Sequence, residues 1–165
     1  MVEYIVGADI SLLRPAFALI KFDGKITIEK VTVVDNKGNS TKKNKKPIPQ
    51  ILYEIAEEFS EFIDPTFSFA KERSFSRFNK STQQLFRTVG VIEETLWREV
   101  GTEFVEFSPT DIKKCIAGDG KASKEDVGEG IKKYIGDISF PGDDEADAIA
   151  AAITYLIKEK KICQL

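Results

Sequence analysis

What most restricts the fold of this chain is its beginning, where β-rich runs follow one another with no helical stretch between them. MVEYIVGAD reads as a strand that ends near Asp9, ahead of the breaker Leu13-Arg14-Pro15. Ala16 to Lys21 and Lys25 to Val34 form two more runs around Asp23-Gly24, a pair that turns hairpins. Strands joined this way run antiparallel, which excludes a purely parallel doubly wound sheet. Afterwards the pattern alternates. Ile51, Leu52, Ile55, Phe59, Phe62 and Ile63 have helical spacing from Ile48 until Pro65, and Phe67 to Lys71 leads as a strand into Glu72. Leu85, Val89, Ile92 and Leu96 mark a second helix, and Glu103 to Phe107 a fifth strand. Ser108 and Ser123 each precede a carboxylate three residues on, Asp111 and Asp126, which predicts two capped helix starts separated by Gly118-Asp119-Gly120. A last helix is expected from about Asp143 to Lys160, with Ala146, Ile149, Ala150, Ile153, Leu156 and Ile157 on one face. The expected class is α/β: a mixed five-stranded sheet, three antiparallel strands then parallel ones, with helices on both faces.

Composition narrows the chemistry. With 165 residues, 42% hydrophobic and 31% charged, the chain is expected to form one domain over residues 1–165 around a true core. No run of about 18 apolar residues occurs, and the first residues lack a signal-peptide layout, so no membrane contact and a cytoplasmic location are expected. Cys115 and Cys163 lie far apart, suggesting neither a disulfide framework nor a zinc site. There is no histidine, which removes Ser/His/Asp and Cys/His triads and His-bound zinc; catalysis is left to carboxylates, lysines or a metal. The net charge of −3 and pI near 5.2 argue against an all-over basic surface for nucleic acid, although a local basic face is compatible with both. The polar stretch 36–47 carries Lys37, Lys42, Lys43, Lys45 and Lys46 and reads as a solvated connection or a phosphate-contacting loop.

Carboxylates stand out by context. Asp9 ends an otherwise apolar strand, and at the sheet centre it would be a buried charge in need of a partner. Glu72 closes the run FSFA between Lys71 and Arg73, where a surface ion pair is the ordinary reading. Asp143, Asp144, Glu145 and Asp147 open a helix, a place that favours negative charge, yet Asp144 and Asp147 share a face at i,i+3 and repel unless a cation lies between them. Acids from the first strand, a later strand and the last helix suit hard divalent cations and two-metal phosphodiester chemistry.

The runs GADISLLRPAFALI (7–20), FAKERSFSRFNKSTQQLFRTVGVIEETL (69–96), FSPTDIKKCIAGDGKASKEDV (107–127) and PGDDEADAIAAAITYL (141–156) resemble, in order and spacing, the motifs of RuvC-type Holliday-junction resolvases. The resemblance implies an RNase H-like fold, a homodimer and Mg²⁺-dependent cleavage of Holliday junctions and other branched DNA, forks and flaps included, with Mn²⁺ able to substitute. It implies that Asp9, Glu72, Asp144 and Asp147 are the catalytic, metal-binding acids; whether Asp143 assists or replaces Asp144 is left open by the sequence. It also implies that Phe75 meets the junction centre and that Lys113 and Lys124 contact DNA phosphates. Water would be the nucleophile and the product would carry a 5′-phosphate. The helix from about Ser81 to Trp97 is the expected two-fold surface. Where many relatives have Asp-Pro-Gly, this chain has Asp9-Ile10-Ser11, so a differently shaped loop is expected there. Small size and divergent motifs point to a phage-borne member. Rival readings are a catalytically silent RNase H-like module that binds nucleic acid or protein, and an actin- or sugar-kinase-like ATPase half, which would need a second lobe.

Overall fold

In the computed structural model, residues 1–40, 45–74, 79–138 and 142–165 are described; Phe75, Lys42 and Lys43 lie outside them. The strands are β1 (Glu3–Asp9), β2 (Ala16–Phe22), β3 (Ile26–Val33), β4 (Ser68–Glu72) and β5 (Val105–Phe107). They form one sheet in the order β3-β2-β1-β4-β5. The β1–β2 and β2–β3 pairs are antiparallel, and the β1–β4 and β4–β5 pairs are parallel, as the three leading runs require. The helices are α1 (Ile48–Ser60), α2 (Asn79–Val100), α3 (Pro109–Ala117), α4 (Lys124–Ile135) and α5 (Asp143–Lys158), with a short 3-10 turn at Lys37–Ser40.

The strand period of two divides the core between the sheet faces. Val6, Ala8, Phe17 and Phe69 pack with Ile55 and Phe59 of α1 and Val89, Ile92 and Leu96 of α2. Ile5, Ala18, Ile20 and Ala70 pack on the other face with Ile112 and Ile116 of α3, Ile131 of α4 and the alanine-rich side of α5. Helix α5 lies unusually close to β1: a Cβ on Gly7 would meet the Ala148 carbonyl oxygen at 1.9 Å and the Ala152 Cβ at 3.0 Å. Glycine in the strand and alanine on the helix together set that approach.

Three boundaries differ from the periodicity. Helix α1 stops at Ser60 although Phe62 and Ile63 continue the apolar spacing. Their N–H groups donate to the Phe59 and Ser60 carbonyls in a tight turn, and Phe62 is buried against Phe17, so the spacing follows burial past the helix end. Strand β5 spans only Val105–Phe107; Phe104, ahead of it, packs on Phe59 and Phe69. Helix α5 ends at Lys158 because the backbone turns at Lys160, where φ is +56°. The capped starts stand: Ser108 accepts from the Asp111 N–H, and Ser123 with Asp126 forms a full reciprocal box. Cys115 is buried and Cys163 exposed, both as free thiols. Among the described residues no helix is long and apolar enough to cross a membrane.

Candidate active site

Strand alternation places the first two acids. Ala8 pairs with Lys71 across the parallel β1–β4 ladder, and Asp9 and Glu72 come one residue later on each strand. Both therefore stand at the carboxyl ends of adjacent parallel strands, on the face covered by α5. In open α/β sheets that end is where ligands bind. The first two turns of α5 bring Asp144 and Asp147 over it, where α5 lies close on Gly7.

Electrostatics shows that the acids share one site. Burial pushes Asp9 up to about 7, and the charges of Asp147, Glu72 and Asp144 add to the rise while Lys124 opposes it. Burial and then Asp147 raise Glu72, against Lys113 and Lys124. Asp147 is raised by burial and by Asp143 and Asp144, with Lys124 again opposing. Lys113 and Lys124 thus both face the acids, from α3 and α4.

Two different cations, rather than one lying between them, neutralise Asp144 and Asp147. Lys124 Nζ lies 3.5 Å from Asp143 Oδ2 and 3.6 Å from Asp147 Oδ2. Asp143 is otherwise turned to solvent, so Asp144 and not Asp143 is the inward member of the pair. Asp144 has its own partner: Arg14 Nε donates to its Oδ2 at 2.8 Å, and Arg14 Nη1 donates to Asp35 Oδ2 at 3.0 Å. Sequence periodicity carries no mark of Arg14 or Asp35, because both lie in connections. The loop that carries Arg14 is the one lacking Asp-Pro-Gly. There Ile10 and Leu12 are buried toward α1 and α2, the Ser11 hydroxyl accepts the Arg14 N–H at 3.0 Å, and Asn36 Nδ2 donates to the Leu12 carbonyl.

Glu72 departs from its ordinary reading. Its neighbours Lys71 and Arg73 both turn to Glu106 instead, and Lys71, 1% exposed, also meets Glu93 of α2 at 3.2 Å. That network lies on the opposite face, leaving Glu72 to the acids. A lysine buried in a strand had no signal in the sequence. Of the lysine-rich stretch, Lys46 pairs with Glu54 of α1 at 2.6 Å.

The donors fit hard divalent cations. They are carboxylate oxygens from several elements, and burial, with the repulsion of the neighbouring acids added to it, holds Asp9 far above its usual range, a condition an added cation relieves. As they stand, no three acidic or thiol side chains among the described residues form a ready ligand cage.

Known proteins resemble this chain in sequence and in fold. The sequence profile of the family described as crossover junction endodeoxyribonuclease RuvC matches residues 5–155. The chain belongs to the RuvC family. It is 35% identical over 157 residues to the RuvC of Prochlorococcus marinus strain MIT 9301, covering 92% of this chain and 95% of that one. With the RuvC of Synechococcus sp. strain WH7803 it shares 30% over 154 residues, covering 91% and 96%. Among solved structures, Thermus thermophilus RuvC in complex with Holliday junction substrate superposes with a TM-score of 0.83 at 22% identity, over 98% of this chain and 96% of that one. The fowlpox virus Holliday junction resolvase gives 0.52 at 17% identity, over 98% and 100%. At these identities the structural likeness establishes the fold, which is RNase H-like. RuvC proteins are metal-dependent nucleases, in keeping with a site made of carboxylates and lysines.

Proposed function

We propose that this RuvC-family protein is a structure-selective endodeoxyribonuclease that cleaves Holliday junctions and other branched DNA, acting as one nuclease domain over residues 1–165 and working in the cytoplasm. The observation that carries the reading is the convergence of Asp9, Glu72, Asp144 and Asp147 at the ends of β1 and β4, with Asp9 held near pKa 7 by burial and its acidic neighbours. These four would hold Mg²⁺, with Mn²⁺ able to replace it. When bound, the metal supplies Lewis-acid stabilisation of charge on the attacking and leaving oxygens of a phosphodiester.

The chain's own residues supply the rest. Asp9 keeps a proton below about pH 7 and becomes a full anionic donor above it, so the site assembles best at neutral to mildly alkaline pH. Lys124 stands at the outer side of the acids, more than half exposed, where it can exchange a carboxylate for a DNA phosphate; Lys113 flanks Glu72. Both lysines position the strand by its backbone and read no sequence. Phe75, three residues beyond Glu72, is the candidate wedge at the branch point, where an unstacked base is available to an aromatic ring.

Paired cuts need two sites related by a two-fold axis, and α2 offers the surface. Phe86, Gly90 and Trp97 fall on one stripe of that helix; Phe86 and Trp97 are 54% and 60% exposed, and nothing lies within 4 Å of where a Gly90 Cβ would be. Sedimentation is expected to show a dimer at micromolar concentration. The deciding experiment incubates the protein with labelled four-way, three-way, flap and linear duplex DNA, with and without Mg²⁺. Metal-dependent nicking of the branched substrates alone is expected. Binding without cleavage under every metal would instead make the protein a silent binding module.

A further inference from the structure

The acids of this site carry their own cations, and one of these occupies a carboxylate oxygen that a metal ion would compete for. Arg14 reaches from the β1–β2 connection to Asp144 Oδ2 at 2.8 Å and to Asp35 Oδ2 at 3.0 Å. Arg14 and Asp144 are both about a third exposed, so the pair is partly shielded from water. Beside Asp144, Glu145 is 6% exposed, and its Oε2 is buried with no hydrogen-bond partner among the described residues. Such a carboxylate is costly to keep and is rarely left unpaired. It folds back on the helix start, where a Cβ at Gly142 would come within 2.8 Å of Oε2.

Arg14 lies in the field of that carboxylate. The Asp144 hydrogen bond does most to favour the charged guanidinium, against a smaller effect of burial, and the charges of Asp35, Asp144 and Glu145 add to it. A guanidinium is always charged and has five donors in a rigid fork, so it can exchange one carboxylate for a neighbouring one while keeping a third as pivot. Asp35 is that pivot, and Glu145, beside Asp144 on α5, is a receiving carboxylate that is buried and whose Oε2 has no hydrogen-bond partner among the described residues.

We propose that Arg14 is a placeholder cation of the metal site: it neutralises Asp144 until a divalent cation takes that carboxylate, and then passes to Glu145. The inference rests on the reading of the four acids as metal ligands. It assigns Arg14 and Glu145 as positioning residues. Two consequences have opposite signs. Without Arg14, Asp144 has no competitor and the cation binds more tightly. Without the Glu145 charge, Arg14 has nowhere to go, stays on Asp144, and the cation binds more weakly.

Mn²⁺ binding to the full chain without DNA tests this, read from the free Mn²⁺ signal in electron paramagnetic resonance titrations at pH 8. Arg14→Gln is expected to tighten binding about two- to fivefold and Glu145→Gln to weaken it by a similar factor, the range for a partly exposed ion pair. The double variant is expected to behave as Arg14→Gln alone, because Glu145 acts through the guanidinium. Arg14→Met is measured alongside, with melting curves for each, so that a folding defect in one variant leaves the comparison intact. Weaker Mn²⁺ binding in both Arg14 variants would make Arg14 a simple orienting group and overturn the proposal, as would additive effects in the double variant. Asp9→Asn separates this from the parent reading: if it binds Mn²⁺ as the wild type does, the acids are not the metal site and both readings fall.

Discussion

Replacing Asp9 by Asn removes one oxygen ligand and, in the same step, the most strained charge of the site. Burial, and then Asp147, Glu72 and Asp144, lift this carboxyl from 3.8 to about 7. A rise of about 3 units corresponds to about 4 kcal/mol at 1.36 kcal/mol per unit. That is the ceiling, since the neighbouring acids and solvent relax around the charge, and a gain on the order of 1–2 kcal/mol is expected from its removal. The unfolded chain ionises Asp9 near 3.8 and the folded chain near 7. Below pH 3.8 the group is protonated in both states and has no effect. Between these values the unfolded chain gives up its proton first, so stability falls as pH rises, and above about pH 7 the penalty is complete. In EDTA, Asp9→Asn is therefore expected to melt with the wild type near pH 4, to gain on it progressively, and to lead by about 2–8 °C at pH 8. The same variant is expected to lose junction cleavage while keeping junction binding, because a ligand is lost but repulsion of DNA phosphate is lessened. Calorimetry across this pH range, paired with cleavage and gel-shift assays, measures each part. A melting difference that is absent, or the same at every pH, would refute the burial and repulsion argument; wild-type cleavage would refute the ligand role.

Lys124→Ala is expected to lower junction affinity and to shallow the dependence of log affinity on log salt by about one phosphate contact; an unchanged slope assigns Lys124 to solvent. Phe75→Ala is expected to reduce junction cleavage by roughly ten- to a hundredfold, the range for a lost stacking contact of about 1–3 kcal/mol, with little change in melting temperature. A stability loss of about 3–5 kcal/mol would place the ring in the core. Gly7→Ala sets a methyl against the Ala148 carbonyl, an atom that cannot swing away, and is expected to lower stability by about 1–3 kcal/mol or more and to displace the helix bearing Asp144 and Asp147. Denaturant unfolding and Mn²⁺ affinity should both fall, and a stable variant with intact affinity would show that α5 does not depend on this approach.

The sheet was legible in the amino-acid order because it follows from local rules. A hairpin turn at Asp23-Gly24, period-two burial and two serine caps act over a few residues, so the antiparallel start and the helix positions could be read directly. The motif runs likewise carried Asp9, Glu72, Asp144, Asp147, Lys113 and Lys124, and the structure brings all of these to one end of the sheet. What tertiary structure decided is which charges meet. Lys71 and Arg73 flank Glu72 in sequence but pair with Glu106, because alternate residues of a strand face opposite sides. Apolar spacing ran on through Phe62 because burial, which the spacing records, outlasts the α1 helix. Arg14 meets Asp144 across 130 positions, and Glu145 Oε2 is buried without a hydrogen-bond partner among the described residues, where α5 packs closely on β1 at Gly7. Local backbone preferences and burial patterns are written residue by residue, whereas the protonation of Asp9 and the partner of Arg14 depend on burial and on contacts between residues distant in sequence, which exist only once the sheet and helices have packed.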